Sequence, residues 1–381
     1  MNYEQLHLLN PNFDSKLINL ILELEHLRKR QLFWSTPPSI FFQLKWIFHL
    51  LESIWSARIE WNRTTVAEFI ETKISPEITV GEEIREIQNM EKALNYIEEN
   101  IDKIAINEKF ISEMHLLVTN SLNPKNEWSS TPWQYRKKNV TITRSMHIPC
   151  DFQQVDNYMR ELIEFIEDPT DHKYDLIKVA LAHHRFVWIH PFDNGNGRTV
   201  RLFTYAMLIK AGFNVNVWGG ILNPTAIFCN DRNKYYDNLS IADSWTEKWL
   251  TDWCEYVLEW LLLEIEKIDK LLNYEYLSKN ILIPTIDLAL EKKLISDREY
   301  AILKIAIKEW VLESKHLIKI FPWKLPQERS RHIRRLRDAK MLVAEKEWSA
   351  KYVINFSNSY LLRGFIEVLW KEWFLPNNDP L

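Results

Sequence analysis

The chain contains only seven glycines in 381 residues, whereas glycine makes up about 7% of an average protein. Glycine supplies tight turns and positive backbone φ angles, so a chain this poor in it favours long regular elements. Apolar residues recur at three- and four-residue spacing through residues 17–27, 91–97 and 155–166, which is the period of an α-helix. The chain is therefore predicted to be mainly α.

Two of the seven glycines, Gly195 and Gly197, stand one residue apart in the sequence HPFDNGNGRTVR. A Gly-Asn-Gly turn that opens a helix presents backbone N–H groups at the positive end of the helix dipole, which suits a phosphate. Arg198 and Arg201 add guanidinium groups that can fork onto phosphate oxygens, and His190 can carry a proton near neutral pH. This combination predicts a phosphoryl- or nucleotidyl-transfer site.

The segments on either side of this motif indicate how it is held. Residues 175–189 read as an amphipathic helix that ends at His190, because the following proline disfavours the α region in the residue before it. A second helix is predicted to begin near Gly197 and to run through Leu208. The neighbouring His183 and His184 are expected to be structural, with one packed inside and the other facing out.

Composition limits the classes of protein to which the chain can belong. The formal net charge is −4, which argues against binding of nucleic acid by overall charge but not by a local patch. The three cysteines stand far apart, without the spacing of a zinc site or a disulfide scaffold, and fit a reducing compartment. Because the start of the chain has no basic segment followed by an apolar run, we expect a cytoplasmic protein.

The C-terminal third has a different pattern. Ser296 and Glu299 match a capping box ahead of a helical run at 300–311, and Pro326 opens the basic run 327–340. A β-like segment follows at 351–356. This order is typical of a winged helix-turn-helix. The basic run is a candidate for binding DNA or a peptide, with a solvated helix that packs on the core as the alternative.

The motif beginning at His190 resembles the signature of the Fic family, H-P-F-x-(D/E)-G-N-G-R-x-x-R, at eight of its nine fixed positions. The likeness extends over about residues 50–260. The segment 182–189 resembles the helix that precedes the motif in the family, and 135–149 resembles its flap hairpin, with Val140–Thr143 predicted as a short strand or hairpin arm. The family resemblance implies a Fic-type helical bundle with a short β-hairpin flap.

The resemblance also implies an activity, the transfer of AMP from ATP to a Tyr, Thr or Ser hydroxyl of a target protein. His190 would act as the general base, and Arg198 and Arg201 would hold the phosphates. The remaining implied contacts are with the nucleotide (Asp193, Asn194, Gly195, Asn196, Gly197, Tyr235, Tyr236) and with the target through the flap (Thr141, Ile142, Thr143). ATP, Mg²⁺ and an unknown target protein are the implied partners, and a homodimer is left open.

Ser56 and Glu60 fit a second family pattern, (S/T)-x-x-x-E followed by Gly or Asn, which marks an inhibitory helix. The resemblance implies that Glu60 pairs with the Arg201 guanidinium, which would otherwise hold the γ-phosphate of ATP. The chain departs from the pattern at the next residue, which is Trp61.

The motif itself departs from the signature at one position, because Asn194 stands where the family has the acidic residue that holds Mg²⁺. An amide oxygen is a weaker ligand for a hard cation than a carboxylate. Three alternatives follow: Asn194 suffices beside the phosphate oxygens, Asp193 takes over, or the metal dependence or the phosphate donor is different.

These observations predict four regions and two functions. The regions are an N-terminal helical region (1–105) with the inhibitory helix, a Fic core (106–265), a helical linker (266–292) and a winged-helix domain (293–381). The leading function is an autoinhibited protein adenylyltransferase. The alternative is a DNA-binding regulator whose Fic-like core senses a nucleotide or is degenerate.

Overall fold

A computed structural model describes residues 5–29, 35–74, 81–123, 131–142, 145–213, 228–229, 231–356 and 359–375. The described residues form two compact units. The first comprises Met1–Gln31, His49–Thr64 and Thr79–Glu266, and the second comprises Leu32–Phe48, Thr65–Ile78 and Lys267–Leu381. Both are mainly helical, as the scarcity of glycine predicted.

The helices are numbered here in chain order over the described residues. They are α1 (Lys16–Lys29), α2 (Pro38–Ile59), α3 (Val66–Ile74), α4 (Glu82–Asn100), α5 (Glu108–Thr119), α6 (Val155–Glu167), α7 (Asp175–Ile189), α8 (Asn196–Lys210), α9 (Arg232–Ala242), α10 (Glu247–Leu272), α11 (Tyr274–Leu277), α12 (Ile283–Glu291), α13 (Asp297–Glu309), α14 (Pro326–Asp338) and α15 (Ser359–Lys371). Short 3₁₀ turns lie at Phe152–Gln154, His172–Tyr174 and Ser314–Lys319, and a π turn lies at Ser278–Leu282.

Helix α7 lies at the centre of the first unit, packed against α6 and α8, while α5 packs on α8 and α4 packs on α5. Nearly all of its residues are buried, which is typical of a helix surrounded by others rather than one with a single apolar stripe. The prediction that one of His183 and His184 faces out is wrong, because both are buried. His183 lies 2.7 Å from Thr204 Oγ1 and 2.9 Å from Tyr235 Oη, so its polar atoms are satisfied inside.

The C-terminal part of the second unit contains a hairpin, which follows α14 and precedes α15. Strands β1 (Leu342–Ala344) and β2 (Tyr352–Ile354) pair antiparallel, with Leu342 opposite Ile354. The backbone of Leu312 also pairs with Tyr352 through two N–H···O bonds of 2.7 and 3.0 Å. The strand predicted at 351–356 is therefore confirmed at residues Tyr352–Ile354.

Helices α13 and α14 precede the hairpin, and the 3₁₀ turn lies between them. The predicted capping box is present at the start of α13, where Glu299 accepts from the Ser296 N–H and Ser296 Oγ faces the Glu299 N–H. Helix α14 buries Arg329, Ile333 and Leu336 and leaves its other side to solvent.

The segment predicted as a flap strand is not a strand where it is described. Val140–Ile142 carries no ladder pairing, and Thr143 lies outside the described residues. Alternation of β-branched residues favours a strand only where a partner strand supplies the hydrogen bonds. The ends of the segment are fixed by side chains instead, because Asn139 Oδ1 accepts from Phe152 N and His147 Nε2 donates to Trp188 O.

Within the described residues, no helix has both the length and the apolar character needed to cross a bilayer.

Candidate active site

The loop between α7 and α8 is a rigid turn built on two left-handed residues. His190 closes α7 in the left-handed region, at φ 53° and ψ 61°, which few residues other than glycine adopt. The proline that follows disfavours continuation of the helix. Gly195 has φ 76°, and a Cβ there would lie 3.3 Å from Thr119 Cγ2. The Asn196 side chain hydrogen-bonds both the N–H and the C=O of the fully buried Phe192. These two bonds fix the backbone of the loop.

His115 supports the loop from α5, and the sequence analysis missed it. Its ring stacks on Phe192 with centroids 3.8 Å apart, Nε2 donates to Asn194 O at 2.9 Å, and Nδ1 accepts from Trp133 N. Burial lowers the pKa of His115 to about 4, which fits a neutral ring with one donor and one acceptor. A lone histidine in a helical run carried no sequence signal for this role.

Arg136 holds the end of α7. Its Nε donates to His190 O at 2.9 Å, its Nη2 donates to Cys150 O, and its own N–H donates to Pro191 O. The last carbonyls of a helix have no intrahelical partner, and here a buried guanidinium supplies one. Sequence reasoning had placed this residue only in the flap resemblance.

His190 presents a half-buried imidazole at the mouth of this loop. Its Nδ1 is buried, and the ring lies within hydrogen-bond reach of the Val187 backbone. Burial lowers the pKa of His190 to about 4, although the nearby Glu60 carboxylate acts in the opposite direction. The ring is therefore neutral at pH 7 and able to accept a proton.

Arg201 is buried at 1% exposure, and its Nε and Nη2 are bound by the end of α2. Its Nε donates to Ser56 Oγ at 2.9 Å, and its Nη2 donates to Ser56 O at 2.8 Å and to Glu60 Oε1 at 3.1 Å. Burial opposes ionisation of Glu60, but Arg201 and Arg198 hold its pKa below the usual range. The structure thus brings together the three residues that the sequence pattern linked.

Gly197 makes room for the Glu60 carboxylate. A Cβ at this position would lie 1.9 Å from Glu60 Oε1, far inside van der Waals contact. Close approach of another group to the main chain, rather than a positive φ, is what requires glycine here.

Trp61 explains both the family pattern and the departure from it. The residue has φ 71°, and Asn62 N donates to Ala57 O across it, which is the Schellman arrangement at a helix end. Gly and Asn adopt this left-handed conformation most readily. Trp61 adopts it here with its ring against Arg232, whose guanidinium carbon lies 3.6 Å from the ring centroid.

Arg198 has a carboxylate partner that the sequence analysis did not predict. Its Nη1 lies 2.6 Å from Glu86 Oε1, and both side chains are nearly inaccessible to solvent. Glu86 comes from α4 and also accepts a 2.8 Å hydrogen bond from Asn62 Nδ2. Each arginine of the motif therefore faces a carboxylate from outside the motif, the half-exposed Glu60 for Arg201 and the buried Glu86 for Arg198.

The two tyrosines predicted at the adenine side differ in exposure. Tyr235 is buried with its Oη near His183, whereas Tyr236 is 40% exposed on the same helix, α9. Only Tyr236 can therefore meet a ligand at the surface without a rearrangement of the core.

Asn194 and the preceding Asp193 are the residues of the motif that could hold a metal ion. Asn194 Oδ1 accepts from the next backbone N–H, that of Gly195, at 2.6 Å. Asp193 instead has a buried carboxylate oxygen with no hydrogen-bond partner in the described part of the chain. No group of three His, Cys, Asp or Glu that could hold a metal ion occurs among the described residues.

The sequence is similar to a known family and to named proteins of that family. Residues 105–208 match the model of the Fic/DOC family. The chain is 31% identical over 195 residues to the protein adenylyltransferase Fic of Drosophila yakuba, and 29% identical over 197 residues to that of Nematostella vectensis. These matches cover 49% of this chain but only 36% and 42% of the relatives, so the chain spans well under half of their length.

Two solved structures share the fold. A Fic family protein from Desulfovibrio desulfuricans G20 has a TM-score of 0.56 at 19% identity, over 93% of this chain and 98% of that one. A Fic domain containing signaling protein from Bacteroides thetaiotaomicron has a TM-score of 0.51 at 18% identity, over 68% of this chain and 97% of that one. The helical core described above is therefore of the Fic type.

Substitution of Trp61 tests the left-handed end of α2. Trp61→Ala and Trp61→Gly both lose the contact with Arg232, but only glycine adopts the left-handed conformation without strain. We expect the Gly variant to exceed the Ala variant in free energy of unfolding by about 1 kcal/mol. Chemical denaturation of the two variants measures this difference, and equal stability would show that the turn is not strained.

The protonation of His190 can be followed by ¹⁵N NMR of the imidazole. Burial disfavours the charged ring, so the signal should stay that of a neutral ring as the pH falls from 7 to about 5, and should change only nearer the pKa of about 4. His190→Ala identifies the resonance. Titration centred near the ordinary histidine value of about 6.5 would contradict the buried environment.

Proposed function

We propose that this protein transfers AMP from ATP to a hydroxyl group of a target protein. The observation that carries the proposal is the grouping of His190, a Gly-Asn-Gly turn and two arginines around the first turn of α8. The match of residues 105–208 to the Fic/DOC family and the adenylyltransferase names of the relatives support it. We predict that the catalytic core extends over residues 106–265.

In the proposed reaction the hydroxyl oxygen of the target attacks the α-phosphorus of ATP. His190 accepts the hydroxyl proton, the bond from the α-phosphorus to the bridging oxygen breaks, and pyrophosphate leaves with the electron pair. A neutral imidazole retains one nitrogen lone pair that can accept this proton. We propose that the flap residues Thr141, Ile142 and Thr143 align an extended segment of the target by main-chain pairing.

The first turn of α8 is suited to the phosphates. The first N–H groups of a helix have no intrahelical acceptor and lie at the positive end of its dipole. In α8 these groups belong to Asn196, Gly197 and Arg198. We propose that they bind the α- and β-phosphates together with the Arg198 side chain, and that Arg201 binds the γ-phosphate.

Asp193 would hold Mg²⁺ together with the phosphate oxygens, because its buried carboxylate oxygen is unpaired among the described residues and Mg²⁺ prefers one or two carboxylates beside phosphates. Asn194 is the second candidate, but it would first have to release the Gly195 N–H. Bound there, the metal would neutralise charge on the phosphates.

We further propose that α2 keeps this site inactive. Arg201 has its Nε and Nη2 bound by Ser56 and Glu60, so the guanidinium that should hold the γ-phosphate is occupied. The Glu60 carboxylate also fills the space over Gly197, next to the proposed path of the phosphates. ATP can then bind only in a pose that does not lead to transfer.

Mass spectrometry of the protein after incubation with ATP and Mg²⁺ tests both proposals. Glu60→Gly should gain AMP-sized increments at least about tenfold faster than wild type, because Arg201 becomes free. Adding His190→Ala to Glu60→Gly should lower the rate by a factor of ~10²–10⁴, the usual contribution of a general base.

Glu83→Gln is the matched control, since Glu83 is an exposed glutamate near the same turn and should leave the rate unchanged. If Glu60→Gly is no faster than wild type, the inhibitory role is wrong. If His190→Ala has no effect in the Glu60→Gly background, the general-base role is wrong.

A second candidate function is DNA binding by the C-terminal region 293–381, which we propose to be a winged helix-turn-helix. Supporting it are the order α13, 3₁₀ turn, α14 and hairpin, and the pairing of Leu312 with Tyr352. Residues 296–356 contain fourteen Lys and Arg against eight Asp and Glu in a chain whose net charge is −4. The side of α14 opposite its buried residues exposes Arg331 and Arg334, and Trp348 between the strands is 95% exposed.

The double variant Arg331→Ala/Arg334→Ala tests this surface by fluorescence anisotropy with duplex DNA over a range of salt concentrations. Each lost phosphate contact should reduce the slope of log K against log salt by about 0.9. Arg160→Ala, an exposed arginine on α6, is the control and should bind as wild type does. Absence of salt-dependent binding by the wild-type protein would exclude DNA as the ligand of this surface.

A further inference from the structure

The proposed phosphate site at the first turn of α8 has a second carboxylate beside it, the buried Glu86, which the proposed reaction does not use. Its Oε1 lies 2.6 Å from Arg198 Nη1, and the two side chains are 7% and 2% exposed. A pair of charges removed from water this completely is retained only if each compensates the other. In this structure the guanidinium proposed to bind the α- and β-phosphates is therefore already neutralised by the protein.

Asn62 connects this ion pair to the end of α2. Its Nδ2 donates to Glu86 Oε2 and to Glu83 O, each at 2.8 Å, while its Oδ1 accepts from Thr64 N. Asn62 follows Trp61, the left-handed residue that ends the Schellman turn. The conformation of this turn therefore fixes the amide that holds the Glu86 carboxylate in place.

The two arginines of the motif thus face two carboxylates that converge on one turn. Glu60, the residue before Trp61, pairs with Arg201. Glu86 pairs with Arg198 and is held by Asn62, the residue after Trp61. A bound triphosphate would bring several negative charges to the same two guanidinium groups. Like charges brought together in a buried site cost several kcal/mol, so Glu86 and the phosphates compete for Arg198.

We infer that Glu86 is a second inhibitory carboxylate, which withholds Arg198 from the phosphates while the end of α2 is docked. The inference rests on the proposed function for the identity of the ligand as a nucleoside triphosphate. It acts on a different arginine from Glu60, so removal of Glu60 alone frees Arg201 and leaves Arg198 paired.

The pKa of Glu86 is consistent with this role. Burial raises it, against the opposing effects of Arg198 and of the Asn62 hydrogen bond. Glu86 is therefore easier to neutralise than Glu60, whose pKa is lowered by the two arginines.

The test compares ATP binding, by isothermal titration calorimetry, in Glu60→Gly and in Glu60→Gly/Glu86→Gln. Glutamine keeps the volume and an acceptor for Asn62 but removes the charge. We expect the double variant to bind ATP roughly tenfold more tightly, and the KM for ATP in the transfer assay to fall by a similar factor. Glu99→Gln in the same Glu60→Gly background is the control and should change neither value, because Glu99 is an exposed glutamate of α4 outside this link.

The alternative is that Glu86 orients Arg198 for the phosphates, in which case Glu86→Gln weakens ATP binding or lowers kcat. Weaker or unchanged ATP binding overturns the inference. Because calorimetry does not depend on transfer, an absence of AMP incorporation in every variant would refute the proposed function and still leave the role of Glu86 decided.

Asn62→Ala provides a second variant in case Glu86→Gln does not fold. It removes the donor that holds Glu86 and adds no charge near the phosphates. In the Glu60→Gly background it should also tighten ATP binding. A loss of affinity in this variant would contradict the link from α2 through Glu86 to Arg198.

Discussion

The site is organised by the need to compensate a fully buried guanidinium. Arg201 lies in the core of the first unit, and a buried charge is tolerated only with a partner and hydrogen bonds. Ser56 and Glu60 supply both from a helix more than a hundred residues earlier in the chain. The same requirement determines that Gly197 has no side chain, and the position of the α2 end determines where Asn62 and Glu86 lie.

A resting site compensated in this way has a consequence for control. Under the proposed function, Arg201 uses one charge both to hold the end of α2 through Glu60 and to bind phosphate. We propose that an event that releases the end of α2 exposes this charge and favours phosphate binding. Trp61 contributes through a left-handed backbone that glycine would adopt with less strain, supported by its contact with Arg232.

Much of the fold and of the motif could be predicted from the sequence, because local constraints decide them. The proline after His190 ends α7, the two glycines mark the turn, and the capping box marks the start of α13. The pairing of Glu60 with Arg201 followed from a family pattern and is present in the structure. The supporting residues His115, Arg136 and Glu86 could not be predicted, since their roles depend on tertiary neighbours and leave no periodic or motif signal. The strand expected at Val140–Ile142 failed for the related reason that strand formation depends on a partner.

The central claim is that the site transfers AMP rather than another part of the nucleotide. The most direct test is to incubate the Glu60→Gly variant with ATP labelled with ³²P at either the α- or the γ-phosphate, and to measure the label retained on denatured protein. Our account predicts retention of the α-label and none of the γ-label, because pyrophosphate leaves. Retention of the γ-label would show phosphoryl transfer and contradict the assigned roles of Arg198 and Arg201.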